Sequence, residues 1–330
     1  MTEPLLDAAH LYVDYGTVHP VHAVRDVSLR IEPDAFVGLV GESGCGKSTL
    51  GMAIARLERP PARIVDGSIR IAGVDWRELS GEDLRRARWT EVSVVLQSGM
   101  NALNPIMMIG AQFRDVMRQH TRMTASEIDA RAAEMVQMVQ IDPSVLSRYP
   151  HELSGGMKQR IAIALALVLY PKLVIMDEPT TALDMVVQRQ ILDNLKELRQ
   201  TQPFAMLFIS HDLGLVMELC DRVVVMYAGE IVENEDSRHM LERPLHPYSR
   251  ALLNALPNPE TPTGTYSGIP GAPPDLHAIP DQCMFAPRCP LTEPHCLTAT
   301  PPLERFENGN IELRCYVTRE EVPHAVSSRA

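Results

Sequence analysis

Apolar and polar positions change period several times along the chain, and the changes mark its elements. "LYVDY", "VSLRIEP" and "AFVGLV", between residues 11 and 40, carry the short-period apolar pattern of strands. The third runs straight into "GESGCGKSTLGMAIARL", which predicts a strand, a glycine loop and a helix. "GSIRIAGVDW" predicts a pair of short strands closed by glycines, and "VSVVLQ", residues 92–97, a buried strand ending at a glutamine. From about residue 98 to 150 the period turns helical: "AQFRDVMRQH" and "ASEIDARAAEMVQMVQI" repeat apolar residues three and four apart. "HELSGGMKQRIAIALAL", residues 151–167, predicts a turn opening into a helix. A strand "KLVIMDE", a helix "VVQRQILDNLKELRQ", a strand "AMLFIS" and a last strand "RVVVMYAG" follow. Strands alternating with helices predict an α/β fold with a largely parallel sheet covered on both faces. Near residue 256 the pattern stops. "LPNPETPTGTYSGIPGAPPDLHAIPD" has no period and is rich in proline and glycine, which predicts a linker or an extended wrap. The expected organisation is one domain over 1–255, with a helical part at about 98–160, and an extension over 256–330. No internal repeat is present.

Composition narrows the class. The chain has 330 residues, 45% hydrophobic and 22% charged, as expected of a globular protein with a sizeable core. A formal net charge of -11 argues against a nucleic-acid footprint, which needs a basic face. The opening "MTEPLLDAAH" carries acids and no basic segment, a poor signal peptide. The longest apolar run, "IAIALALVLY" at 161–170, falls short of the roughly 20 residues that span a bilayer. Any membrane role is therefore expected to come through a partner.

The sharpest chemistry is "GESGCGKST". Gly41, Glu42, Ser43, Gly44, Cys45, Gly46, Lys47, Ser48 and Thr49 match G-x-x-x-x-G-K-[ST] between a predicted strand and a predicted helix, the context that motif requires. The glycines let backbone N–H groups turn toward phosphate oxygens, Lys47 offers a point charge, and the Ser48 hydroxyl suits Mg²⁺. A nucleoside triphosphate is the expected ligand, and no Asn-Lys-x-Asp guanine reader occurs. Cys45, near a helix N-terminus, reads either as a favoured thiolate or simply as a small residue that fits. In "LVIMDEPTTALD" an apolar strand delivers Asp177 at its C-terminal edge, where ligands bind in open α/β sheets. Alternation along the strand sends Asp177 and Glu178 different ways, so one can address Mg²⁺ and the other the attacking water. Ser154 as N-cap, with Gly155 and Gly156, makes a second anion seat.

With the glycine loop, "LSGG", "LVIMDEPTTALD" and "ISHD" in this order, residues 5–255 resemble the ATP-binding subunit of an ABC transporter. The resemblance implies a P-loop NTPase with a RecA-like parallel core, an antiparallel β subdomain and a helical subdomain. It also implies ATP and Mg²⁺ as cofactors. Tyr15 would stack on adenine. Gln97 would sense Mg²⁺, held with Ser48 and Asp177. Glu178 would be the general base and His211 the switch residue at the γ-phosphate. Ser154, Gly155, Gly156 and Asp184 would act in trans, because two such subunits pair head to tail around ATP. Each half-site occurs once, so a second cassette is required, and the family suggests a paralogue. Contacts made only in the closed pair are what can drive closure, since a ligand bound equally by both states shifts nothing.

The signature carries Met157 where the wider family has glutamine. That methionine, "NALNP", "HPYSRALL" and the tail "CMFAPRCPLTEPHC" with "ELRCY" resemble the oligopeptide/dipeptide importer branch. The branch implies a peripheral subunit at the cytoplasmic face of the membrane, two membrane permeases, and indirectly an extracytoplasmic binding protein. The same machinery could serve nickel complexes or sugars. A soluble ABC ATPase of translation or DNA repair is the other class, disfavoured by the acidity. Met107, Met108 and Phe113 read either as a groove for a permease helix or as core. In that branch Cys283, Cys289, Cys296 and Cys315 bind a [4Fe–4S] cluster. Four thiolates by themselves suit Fe–S or Zn²⁺, and free thiols or disulfides also stay open. A cluster would act as a staple for a tail lacking its own core.

Overall fold

The structure is a computed structural model that describes residues 3–96, 102–180, 183–255, 268–306 and 310–321. Along the chain run β1 (Leu6–Tyr15), β2 (Val21–Ile31), β3 (Phe36–Val40), α1 (Lys47–Ile54), β4 (Ala62–Ile71), β5 (Val74–Asp75) and α2 (Gly81–Thr90). Then come β6 (Val92–Val95), α3 (Ile109–His120), α4 (Ala125–Met138), α5 (Gly155–Leu167), β7 (Leu173–Asp177), α6 (Met185–Thr201) and β8 (Ala205–Ile209). The chain continues through α7 (Leu213–Leu219), β9 (Arg222–Tyr227), β10 (Glu230–Asp236), α8 (Ser237–Glu242), α9 (Pro247–Asn254), β11 (Glu304–Phe306) and β12 (Ile311–Leu313). Two compact units form. One holds Met1–Leu6, Ile31–Ala35 and Arg70–Phe208; the other holds Asp7–Arg30, Phe36–Ile69 and Ile209–Ala330.

In the first unit β6 and β7 pair in parallel, from Val92 opposite Leu173 to Val95 opposite Met176. Every residue of β7 is buried, as a strand covered on both faces must be. Of the expected groove residues, Phe113 is fully buried core on α3, whereas Met108 is 41% exposed beside Ile106 at 83%. The N-terminus of α4 is closed by a reciprocal pair: the Thr124 hydroxyl accepts from Glu127 N–H, and the Glu127 carboxylate accepts from Thr124 N–H.

In the second unit one sheet runs β11-β12-β10-β9-β3, and β2, β1 and β4 belong to another. β3 and β9 are parallel, as predicted, with Val40 opposite Val225. The rest of the first sheet is not. β9 and β10 form an antiparallel hairpin over Ala228 and Gly229, both at positive φ, which suits a two-residue turn. β10, "EIVENED", follows the last strand that the sequence predicts, and despite its acids Glu233 and Glu235 are wholly buried. Each acid has a partner: Glu233 accepts from the N–H groups of Leu245 (2.7 Å) and His246 (2.9 Å), and Glu235 pairs with His239. Glu230 lies 3.3 Å from Arg25 and 3.8 Å from Arg314.

The tail has a core after all. Phe306, Ile311 and Leu313 pack with Leu245, Cys315 rests against them, and Leu313 pairs opposite Glu233. Unit 2 therefore takes in the extension by strand addition and apolar burial.

Burial gives this unit a defined pH response. Burial, reinforced by Glu235, pushes Glu233 up from 4.5 to about 8, so the folded state binds the extra proton between those values. Burial pulls His246 down from 6.5 to about 3, so the unfolded state binds the extra proton there. The two slopes oppose one another from pH 4.5 to 6.5. From pH 6.5 to 8 Glu233 acts without that opposition, and its contribution to stability falls as pH rises, with the buried Glu230 shifted in the same direction. Thermal melts should follow that course, and the decline above pH 6.5 should weaken in Glu233→Gln. An unaltered decline in the variant would assign it elsewhere.

Candidate nucleotide-binding site

The second unit builds the glycine loop as the sequence predicts. β3 ends at Val40, the loop follows, and α1 opens at Lys47 with Gly46 as a left-handed N-cap (φ 106°) and no side-chain cap. The first N–H groups of α1 therefore meet no capping side chain, which is what an anion seat requires. A Cβ on Gly46 would lie 2.1 Å from the Ala23 carbonyl oxygen, and one on Gly41 (φ +150°) 2.2 Å from that of Met226. Only glycine fits either position. Lys47 is buried and its ammonium donates to the carbonyls of Gly41 (2.8 Å) and Glu42 (2.9 Å). Ser43, Gly44 and Ser48 are exposed. The hydroxyls of Tyr15 and Thr49 share a hydrogen bond of 3.0 Å, which ties the end of β1 to α1. Cys45 is only 6% exposed, and burial pushes its thiol up despite the neighbouring Lys47, so it is a small packed thiol and not a favoured thiolate.

His211 joins this group. Ser210 N–H donates to the Leu39 carbonyl (3.2 Å), which puts the exposed His211 at the carboxyl end of β3, where the loop begins. Asp212 then caps α7, its carboxylate accepting from Leu215 N–H (3.2 Å).

The first unit carries the other group. Asp177 ends β7 and is 4% exposed. Glu178 is half-buried in the left-handed region at φ 47°, a conformation that costs a non-glycine residue about 1 kcal/mol and that redirects the chain after the strand. Ser154 caps α5, its hydroxyl accepting from Met157 N–H at 3.3 Å. Asp184 caps α6, accepting from Val187 N–H at 3.0 Å. The two caps are neighbours: a Cβ on Gly156 would meet Leu183 Cδ2 at 3.2 Å. Ser154 and Asp184 are both exposed, and beside them Met185 (83%) and Val186 (68%) leave apolar surface in solvent. Gln97, and Thr181 and Ala182 of "PTTALD", lie outside the described residues.

Two residues near the loop escape the sequence reading. The Arg288 guanidinium donates to both carboxylate oxygens of Glu42 (2.6 and 2.9 Å), and Glu42 N–H donates to the Tyr248 hydroxyl (2.7 Å). Arg288 is 246 positions from Glu42, so no local pattern could signal the pair.

The expected cluster in the tail is not upheld. Among the described residues no group of three or more His, Cys, Asp or Glu side chains is disposed to hold a metal ion. Cys283, Cys289, Cys296 and Cys315 do line one cavity, with Phe285 and Tyr316, but at about 10 Å³ it has room for one water at most. Burial pushes Cys283 up to about 11 and raises Cys289 too. All four are free cysteines in the structure, and the expected [4Fe–4S] cluster is not supported.

Residues 24–181 match the family model described as ABC transporter, and residues 232–296 that of the oligopeptide/dipeptide transporter, C-terminal region. The probable D,D-dipeptide transport ATP-binding protein DdpD of Escherichia coli K12 is 41% identical over 326 residues, covering 98% of this chain and 99% of that one. The oligopeptide transport ATP-binding protein OppD of the same organism is 40% identical, covering 97% and 95%. The AppD protein of Bacillus subtilis 168, also named for oligopeptide transport, is 41% identical over 92% and 93%. Among solved structures, the ATP-binding cassette MJ0796, dimeric in a post-hydrolysis state with ADP and Pi, superposes with a TM-score of 0.64 at 26% identity over 71% of this chain and 99% of that one. With relatives aligned from end to end and the loop, the strand carboxylates and the capped glycine helix in place, the chain belongs to the ABC transporter family, among its ATP-hydrolysing ATP-binding subunits.

Proposed function

We propose that this chain powers the import of oligopeptides or dipeptides. The observation that carries the substrate class is the match of residues 232–296 to the C-terminal region of oligopeptide/dipeptide transporters, in a chain whose relatives are named for dipeptide and oligopeptide transport. Residues 1–255 would be the ATP-binding domain, with a helical part at 98–160, and 256–330 an extension bearing the four cysteines. Among the described residues no helix is long and apolar enough to cross a membrane, so the subunit would sit peripherally at the cytoplasmic face on two permeases. An extracytoplasmic binding protein would deliver the cargo.

In this reading Gly41–Thr49 cradles the triphosphate, Tyr15 stacks on adenine, and His211 contacts the γ-phosphate. A buried carboxylate at a strand end and an exposed hydroxyl at the loop suit a hard cation, so Asp177 and Ser48 would hold Mg²⁺ with Gln97. When bound, Mg²⁺ neutralises charge on the phosphate oxygens. Glu178 takes the proton from the attacking water. Ser154, Gly155, Gly156 and Asp184 complete the site of a second, paralogous cassette. The exposed Ser154 and Asp184 caps and the apolar Met185 and Val186 beside them support a face that a partner covers.

Two experiments test this. Gly155→Asp should bind ATP as the parent does, yet lose hydrolysis in the assembled transporter by placing an acid beside the partner's phosphate; hydrolysis at the parental rate would end the trans assignment. In cells lacking the gene, uptake of labelled di- to pentapeptides should drop to background and return on complementation. Intact peptide uptake with loss of nickel or sugar uptake would overturn the substrate class.

A further inference from the structure

The phosphate loop contains an acid in an awkward place. Glu42 is the second residue of a loop that receives a triphosphate, and a carboxylate there repels the ligand that the loop must hold. The structure answers this charge from the far end of the chain. Arg288, its side chain only 5% exposed, meets Glu42 in a two-pronged pair at 2.6 and 2.9 Å. That geometry is the strong form of the interaction. The remaining donors are also committed: Nε to the Pro270 carbonyl (2.7 Å), Nη1 to the Tyr227 hydroxyl (3.3 Å) and Nη2 to the Ile269 carbonyl (3.4 Å). The protein itself thus fixes the guanidinium.

The support beneath is aromatic. Tyr227, Tyr248 and Phe285 pack tilted or edge to face with ring centres 4.6 to 5.4 Å apart, and Phe285 precedes Arg288 in the same short turn. Tyr248 reaches the loop as well, accepting Glu42 N–H at 2.7 Å. Lys47 holds the Glu42 carbonyl at 2.9 Å. Glu42 is therefore tied at its N–H, its carbonyl and its carboxylate, two of the three by residues outside the loop.

We propose that Arg288 is a positioning residue for ATP binding: it neutralises Glu42 and draws it aside, so that the phosphate loop can accept the triphosphate. The C-terminal segment then contributes directly to nucleotide affinity. The proposal rests on the reading of Gly41–Thr49 as the triphosphate seat.

Titration of the full-length chain with Mg·ATP tests it. Arg288→Met should weaken binding about tenfold by leaving a half-buried carboxylate uncompensated beside the phosphates. Adding Glu42→Gln should restore affinity to within about twofold of Glu42→Gln alone, because the charge that Arg288 answers is then gone. A merely structural arginine could not be rescued that way. Affinity unchanged in Arg288→Met, or a double variant as weak as the single, would overturn the proposal. Should Arg288→Met fail to fold, Arg288→Lys with and without Glu42→Gln gives the same test, with an expected loss of about threefold because lysine cannot form the two-pronged pair. Lys47→Ala is the separate control: loss of Mg·ATP binding supports the seat itself, and parental affinity there would reject that reading whatever Arg288 does.

Discussion

Glu178→Gln will bind ATP as the parent does, lose hydrolysis by at least about a hundredfold, and accumulate as a closed pair of cassettes. The size of the loss follows from removing a positioned general base, which contributes about 10²–10⁴ to a rate. Gln preserves shape and hydrogen bonding, so the half-buried site at the end of β7 should keep its left-handed turn at φ 47°. Asp177, proposed to hold Mg²⁺, is 4% exposed and is left unaltered by the substitution. Closure needs about 5.5 kcal/mol of differential affinity to move from mostly open to mostly closed, and contacts made only across the pair supply it. With the base gone, the bridging γ-phosphate persists and so does the pair. Phosphate release assays and gel filtration with ATP read both effects; turnover at the parental rate would reassign the base.

Gly46→Ala should abolish nucleotide binding and destabilise the chain by about 3 kcal/mol or more, in the range of severe backbone clashes. The new methyl would sit 2.1 Å from the Ala23 carbonyl oxygen and 2.8 Å from Met226 Cε, at φ +106°. The oxygen belongs to the backbone of β2, so it cannot swing away. Gly44→Ala is the informative contrast. At φ +81° it carries strain, but nothing lies within 4 Å of its Cβ, so the cost should be about 1 kcal/mol with binding retained. Mg·ATP titration and thermal melts separate the two; equal behaviour would mean that the Ala23 contact does not shape the loop.

The parts legible in sequence were those whose signal is local. β3, the loop and α1 occupy one uninterrupted stretch, and Asp177 falls at the end of an apolar run. The Ser154 cap acts within three residues, so its type and place could be read directly, whereas the Asp184 cap emerged only in the structure. Phe113 shows the opposite case: its helical spacing was visible, but whether that face was groove or core depended on what packed against it, and it is fully buried.

β10 stayed hidden because burial there does not follow hydrophobicity. Glu233 and Glu235 are accepted into the interior by N–H groups of Leu245 and His246 and by His239, partners that composition cannot announce. The tail misled in a similar way. Four cysteines in one short segment suggested a cluster and a coreless wrap, whereas Phe306, Ile311 and Leu313 add it to the sheet edge beside Leu245.

The chain alone therefore determined its class, the glycine loop between β3 and α1, Asp177 at the end of β7 and the Ser154 cap, since each is written in contiguous residues whose backbone needs are specific. Tertiary structure alone decided that the tail is packed, that its four cysteines line one small cavity, and that Arg288 answers Glu42. Those outcomes depend on electrostatics and burial between residues up to 246 positions apart, and distance along the chain erases that signal.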